Sequence, residues 1–346
     1  MAAVTGRATK TKTTASSGST GLSIVVPCFN EATGLPQFHA QLSAAVQALT
    51  RKRGLRCEVI YIDDGSRDAT FEVARALPAQ TLDVQVIALS RNFGKEAALM
   101  AGLQNAKHDA VLFMDGDGQH SPAMIDILVG HWLEEGYDVV YTAKAHRESE
   151  SFLRRLGVKT FYALINWRAR HKIPEDAGDF RLLSPRAANA LRQMPERNRF
   201  FKGLASWIGF RQLRVDYEPE ERTHGKTSWN FASLIGLSIE GLTSFSVAPL
   251  RFASLLGIVM ASVALLFGIL ILYETLFYGK SVPGYPSVIV GVMVLGGVQL
   301  IMIGILGEYI GKILSEQKAR PAYIIAEHIV KSADEAKPAT AKPRRG

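Results

Sequence analysis

Two cysteines in 346 residues, Cys28 and Cys57, are too few for a disulfide framework. Both lie in or beside apolar, strand-like runs, which reads as reduced core thiols, as expected in the cytosol. No G-x-x-x-x-G-K-[ST] phosphate loop and no G-x-G-x-x-G fingerprint occurs, which removes the commonest nucleotide-binding alternatives. Residues 1–20 lack the apolar stretch of a secretory signal; rich in Thr, Ser, Ala, Gly and Lys, they read as a disordered basic tail. Acidic residues number 32 against 40 basic ones, a net charge of +8. No nucleic-acid motif or aromatic–basic interleaving accompanies that excess. It therefore suits anionic lipid headgroups and phosphorylated substrates better than nucleic acid.

Charge is nearly absent from two long stretches. Phe252 to Phe277 carries only Glu274, near one end, and Val288 to Ile310 carries only Glu308. A helix needs about 20 residues to cross a hydrocarbon layer of roughly 30 Å, and each run is long enough. Two neighbouring runs of this length argue against buried core helices. The link Tyr278–Ser287, with Gly279, Pro283, Gly284 and Pro286, reads as a turn outside the bilayer. Arg251 precedes the first run, and Lys312, Lys318 and Arg320 follow the second, while the link carries only Lys280. The positive-inside rule puts both long ends in the cytoplasm, with the protein in the cell membrane. Before the first run, Phe231, Leu234, Ile235, Ile239, Leu242 and Phe245 recur at helical spacing, with Asn230, Ser233 and Glu240 opposite. That is the pattern of an interfacial helix, or of a helix packed on the soluble core. Gly304, Gly307 and Gly311 in the second run suit close helix contact, including between subunits.

The expected organisation is a tail (1–20), a catalytic domain (21–228), an interfacial region (229–250), a two-helix membrane domain (251–311) and a cytoplasmic tail (312–346) whose end is disordered. Between Gly21 and Tyr217, short β-rich runs alternate with amphipathic stretches. The pattern predicts strands at Leu22–Pro27, Glu58–Asp63, Val84–Leu89, Ala110–Met114 and Asp138–Thr142. It predicts helices near Leu35–Thr50, Asp68–Leu77, Lys95–Ala106 and Pro122–Glu135, the last with Ser121 as N-cap. Such alternation implies a mostly parallel, doubly wound α/β sheet, whose ligands sit beyond the carboxyl ends of the strands.

Three predicted strand ends carry polar clusters: Pro27-Cys28-Phe29-Asn30-Glu31, Asp63-Asp64-Gly65-Ser66, and Asp115-Gly116-Asp117-Gly118-Gln119. In an extended segment residues i and i+2 point to the same side, so Asp115 and Asp117 can face one hard cation, with Gln119 adding a neutral oxygen. Carboxylate oxygens suit Mg²⁺ or Mn²⁺, with phosphate oxygens completing the shell. Asp-Gly pairs are also ordinary turn chemistry, and Asp63 can equally be a turn-capping residue. An EF-hand is a poorer fit, since His120 stands where the sharp-turn glycine belongs and Asp126 where the bidentate Glu belongs. Several acidic strand ends meeting at one edge would repel, at a cost that a bound cation or sugar hydroxyls would offset.

The segments SIVVPCFNE, YIDDGSRDAT, SRNFGKEAALMAGL and FMDGDGQHSP, in that order, resemble the family-2 inverting glycosyltransferases with a GT-A fold. More narrowly, with GDFRLLS at 178–184, ERTHGKTSW at 221–229 and the paired apolar runs, the chain is similar to the polyprenyl-phosphate glycosyltransferases. The similarity covers about residues 21–320. It implies a GT-A (Rossmann-like, mostly parallel) catalytic domain followed by two C-terminal transmembrane helices.

By the same resemblance, Pro27, Phe29, Glu31, Asp63 and Asp64 line the nucleotide pocket, and Asp115, Asp117 and Gln119 hold Mg²⁺ or Mn²⁺ and the diphosphate. Asp179 and Asp117 would be the catalytic carboxylates, while Arg181 could be no more than a salt-bridge partner of Asp179. Arg147, Arg154 and Arg155 would meet the acceptor phosphate, or form a solvated basic face. Arg222 and Lys226 would close over the diphosphate, although Thr227-Ser228-Trp229 departs from the usual pattern there. The implied reaction is inverting transfer of a sugar, UDP-glucose the favoured donor, to a polyprenyl phosphate at the cytoplasmic face. The implied assembly is a homo-oligomer, a tetramer. Two other classes share parts of the pattern. A processive polysaccharide synthase usually needs more spans and a Q-x-x-R-W motif, and neither is present. A non-catalytic nucleotide-sugar-binding scaffold or flippase partner fits poorly with an intact Asp115/Asp117/Gln119 set.

Overall fold

Alternation along the strands decides the two faces of the sheet. In the computed structural model, which describes residues 21–79, 82–116, 118, 120–144, 177–194, 201–217, 248–278 and 284–333, the first strand β1 (Gly21–Cys28) sends Leu22, Ile24 and Val26 to one side and Val25 to the other. The chain continues through α1 (Leu35–Arg53), β2 (Arg56–Asp63), α2 (Thr70–Ala76), β3 (Asp83–Leu89), α3 (Lys95–Asn105), β4 (Ala110–Phe113) and α4 (Met124–Glu135). It then forms β5 (Val139–Lys144), β6 (Ala177–Leu183), α5 (Pro185–Arg192), α6 (Phe201–Trp207) and β7 (Gln212–Tyr217). Two long helices follow, α7 (Ala248–Tyr278) and α8 (Tyr285–Gln317), and then a last strand, β8 (Ile325–Lys331).

The eight strands lie in the order β7-β5-β6-β4-β1-β2-β3-β8. β1 pairs in parallel with β2 and β4, β2 with β3, and β5 with β7; β6 is antiparallel to β4 and β5, and β8 to β3. One face packs on α1, α2 and α4, the other on α3, α5 and α6. Central strands covered on both faces must be apolar throughout, which is why β1, β2 and β4 read as nearly continuous hydrophobic runs. At Gly102 in α3, an added Cβ would meet Val25 Cγ1 at 2.2 Å, so the missing side chain lets the helix settle on β1.

Ser23 and Glu58 are polar residues buried in this core. Ser23 Oγ donates to Glu58 Oε1 at 2.5 Å, and Gln85 Nε2 and the Lys107 amide donate to the same carboxylate, each at 2.7 Å. A buried carboxylate with three donors is satisfied, so the group is structural. Cys28 and Cys57 are buried free thiols. Cys57 stands opposite Leu22 and Cys28 opposite Asp63, six strand positions or about 20 Å apart, far beyond disulfide reach.

Beyond β6, β7, α5 and α6, which the sequence pattern did not predict, three details differ from the sequence reading. Ser121 does not cap α4: the helix begins at Met124, after a turn in which the Ser121 and Pro122 carbonyls accept from Met124 and Ile125. The second predicted helix is trimmed to Thr70–Ala76, because Asp68 Oδ1 accepts the Thr70 amide at 3.0 Å ahead of it. The larger change is β8. Part of the segment read as a cytoplasmic tail from 312 onward continues α8 to Gln317 and then joins the sheet, beside β3. Lys331 Nζ anchors it by donating to the Leu77 carbonyl at 2.8 Å, and His328 Nε2 lies 2.7 Å from Gln85 Oε1.

α7 and α8 are long and apolar enough to cross a membrane, and none of their most apolar stretch is buried within the chain. At 1.5 Å per residue they extend about 46 and 50 Å, more than a hydrocarbon core needs. They touch near Gly257, where a Cβ would approach Met302 Cε to 3.5 Å. The interfacial-helix pattern at 229–247 lies outside the described residues.

Candidate active site

Strand order reverses between β1 and β4: the chain runs β1, β2, β3 in one direction and then returns to the other side of β1. In an open parallel sheet that switch point leaves a crevice at the carboxyl edge. A cavity of about 470 Å³ opens there, lined by Pro27, Phe29 and Glu31 from the end of β1, Asp64 from β2, Asn92, Gly94 and Lys95 from the β3–α3 turn, and Asp115 and Asp179 from β4 and β6.

The loops around it are braced against each other. Asn30 takes a left-handed backbone, φ 57°, and its Oδ1 accepts the Arg67 amide at 2.9 Å, while its own amide donates to Ser66 Oγ at 3.0 Å. The Glu31 amide donates to Thr70 Oγ1 at 2.8 Å. Phe29 remains 43% exposed, a flat apolar surface at the mouth of the cavity. Gly65, at φ 65°, abuts the β3–α3 turn, where a Cβ would come within 2.4 Å of the Arg91 carbonyl carbon.

The two aspartates at the end of β2 do different work. Asp63 is buried and its Oδ1 accepts the Ser66 amide at 3.2 Å, turning the chain. Asp64, also buried, accepts Phe93 N on one oxygen at 2.8 Å and Gly94 N on the other at 2.9 Å, clamping the turn that delivers Lys95. Burial raises both carboxyl groups above the ordinary aspartate value, and the hydrogen bonds offset part of that rise. Burial likewise pushes the Cys28 thiol well above its usual range, with Glu31, Asp63 and Asp115 adding to the effect. A protonated, buried thiol is no nucleophile.

Lys95 binds two site carboxylates at once. Its Nζ lies 2.7 Å from Asp115 Oδ1 and 2.6 Å from Asp179 Oδ2. Burial opposes the charge on Lys95, but Asp179 and Asp115 together outweigh it and hold the ammonium above the ordinary lysine value. The sequence pattern gave Lys95 and Asn92 no role. Both lie in SRNFGKEAALMAGL, just after β3, a strand whose terminus carries no carboxylate to mark it as part of a polar edge. Arg181, also buried, donates to the Gly178 carbonyl at 3.2 Å.

Pro27, Phe29, Glu31, Asp64, Asp115 and Asp179 thus meet at one cavity, whereas Asp63 is not among its lining residues. Asp117, Gln119, Arg147, Arg154, Arg155, Arg222 and Lys226 lie outside the described residues. Among the described residues no three His, Cys, Asp or Glu side chains converge as a ready ligand set for a metal. The chemistry of the position nevertheless suits a hard cation, because Asp115 offers carboxylate oxygen and already holds a cation, the Lys95 ammonium, at contact distance.

The model for glycosyl transferase family 2 matches residues 23–192. A prophage bactoprenol glucosyl transferase homolog of Escherichia coli (strain K12) is 41% identical over 304 residues, spanning 88% of this chain and 98% of that protein. The chain belongs to glycosyltransferase family 2. The bactoprenol glucosyl transferase of Shigella phage SfV is also 41% identical over 304 residues, spanning 88% of this chain and 97% of its own length. An uncharacterized glycosyltransferase of Synechocystis sp. (strain ATCC 27184 / PCC 6803 / Kazusa) is 39% identical over 306 residues, 88% of this chain and 95% of that one. This family-2 glycosyltransferase is therefore an enzyme, with the GT-A type of sheet followed by two long apolar helices.

Proposed function

We propose that this glycosyltransferase transfers a sugar from a nucleotide-diphosphate donor, UDP-glucose first among candidates, to a polyprenyl phosphate at the cytoplasmic face of the cell membrane. One observation carries the reading. β7 ends at Tyr217, opposite the last residue of β5, and β8 begins at Ile325, opposite the last residue of β3. The chain therefore leaves for the apolar helices, and returns from them, at the carboxyl edge that holds the cavity. An acceptor that cannot leave a bilayer would meet the donor at that edge. The names of the bactoprenol glucosyl transferases from Escherichia coli and phage SfV support the same acceptor class.

In this mechanism Phe29 packs on the flat base of the donor, while Glu31 and Asp64 offer oxygens to ribose hydroxyls or base N–H groups. Asp115, Asp117 and Gln119 would hold Mg²⁺ or Mn²⁺, which supplies neutralisation of charge on the departing nucleoside diphosphate. Arg222 and Lys226 close over that diphosphate. Arg147, Arg154 and Arg155 present the lipid phosphate, to which guanidinium groups offer paired donors. A phosphate monoester has its second pKa near about 6 and is largely deprotonated at neutral pH, so it needs no base to attack the anomeric carbon. Asp179 then serves to hold sugar hydroxyls. Attack opposite the leaving diphosphate inverts the centre, giving a β-linked product from an α-linked donor.

The test incubates purified full-length protein with Mg²⁺ or Mn²⁺, undecaprenyl or dolichyl phosphate, and a panel of nucleotide sugars. A glycolipid with one donor is expected; none with any donor overturns the reading. Asp117→Ala is expected to abolish transfer while membrane insertion stays intact, and near wild-type turnover would remove Asp117 from the metal set.

A further inference from the structure

Asp115 lies two residues past the end of β4, and Asp179 lies on β6, the antiparallel neighbour of β4. Phe113 of β4 stands opposite Arg181 of β6, and continuing that register by two residues sets Asp115 opposite Asp179. Two carboxylates facing each other across a ladder repel. Of the described residues lining the cavity, four are carboxylates (Glu31, Asp64, Asp115 and Asp179) and one is a cation, Lys95. The Lys95 ammonium lies between the facing pair, in contact with both. Its backbone is fixed, since the preceding Gly94 amide is held by Asp64, while its ammonium is carried on a flexible four-carbon stem that is 41% exposed.

We propose that Lys95 is a resident counter-cation, a positioning residue that keeps Asp115 and Asp179 aligned before a divalent cation arrives and gives up Asp115 to that cation. The inference rests on the reading of Asp115 as a metal ligand. A monovalent ammonium holds a carboxylate by charge and hydrogen bonds alone, so a divalent ion that coordinates the same oxygen displaces it. Lys95 then remains on Asp179, and the arrival of the cation releases that carboxylate from its link to Asp115. The site thus keeps an ammonium between the two carboxylates in the donor-free enzyme, at the cost of weaker metal binding in that state.

The experiment titrates full-length wild type, Lys95→Met, Lys95→Arg and the double variant Lys95→Met/Asp115→Asn with Mn²⁺ alone, reading free Mn²⁺ by electron paramagnetic resonance and melting temperature in parallel. Removing a competing charge of roughly 1 kcal/mol at water-like screening is expected to tighten Mn²⁺ binding by about fivefold in Lys95→Met. Lys95→Arg keeps the charge and is expected to bind as wild type does, and the double variant to lose the gain. Lys95→Met should also melt lower than wild type without Mn²⁺ and recover more on its addition. Wild-type binding with equal or weaker affinity in Lys95→Met overturns the exchange while leaving the metal reading in place. Absence of Mn²⁺ binding in wild type and Lys95→Met alike overturns both. Should Lys95→Met fail to fold, Lys95→Gln, which keeps a hydrogen-bond donor but no charge, carries the same expectation.

Discussion

Asp64 illustrates how one side chain can be both scaffold and site. Its oxygens are committed to the Phe93 and Gly94 amides, yet the residue still lines the cavity. Asp64→Asn places an NH₂ against one of those amides, and is expected to cost about 1–3 kcal/mol and to raise the donor KM more than it lowers kcat. Melting curves and donor titrations check it. A second carboxylate, Asp138, shows a pH effect. Burial pushes its pKa up, but Arg186 and Ser184 outweigh burial and hold it below the ordinary aspartate value. A depressed carboxyl group stabilises the fold above its unfolded value, about pH 4, and that contribution disappears as pH falls through the folded value. Arg186→Met is therefore expected to lower the melting temperature at pH 7, with the gap to wild type narrowing below about pH 4. Lys95 marks the limit of what local sequence conveys. Asp115 and Asp117 announce themselves by i, i+2 spacing, whereas the link from Lys95 to Asp179 spans 84 residues and exists only once the start of α3 meets β6.

At the level of elements, the central strands were legible because burial on both faces forces an apolar run, and α1 and α3 because their helical pattern meets glycine at an end. β8 was not. Its residues alternate only weakly, it is half-exposed, and its partner β3 lies some 240 residues earlier. An edge strand borrows its structure from its neighbour and leaves little trace in its own composition. Deleting 325–333 uncovers the β3 edge, and is expected to lower the melting temperature by roughly 5 °C or more and to promote aggregation in detergent. Light scattering and differential scanning would reveal both. Gly102→Ala drives a methyl into Val25 and is expected to destabilise the catalytic domain by about 1–3 kcal/mol, measured by thermal unfolding.

On the scale of the whole molecule, the two apolar helices and the returning strand fix a topology that can be read with thiol chemistry. Cys28 and Cys57 are buried and give a quiet background. With single cysteines at Lys318 and Ser281, a membrane-impermeant maleimide applied to oriented vesicles is expected to label one position from each side; labelling of both from the same side would exclude a membrane hairpin. The same topology sets the two crossings of the chain far apart. β7 and β8 are the two outermost strands, separated by seven inter-strand steps, on the order of 30 Å. Only seven residues, 318–324, separate α8 from β8, so the returning strand is a short tether between the apolar pair and the far edge of the sheet. The cavity at β1 and β4 lies between β7 and β8 in the strand order, at the carboxyl edge where β7 ends and β8 begins.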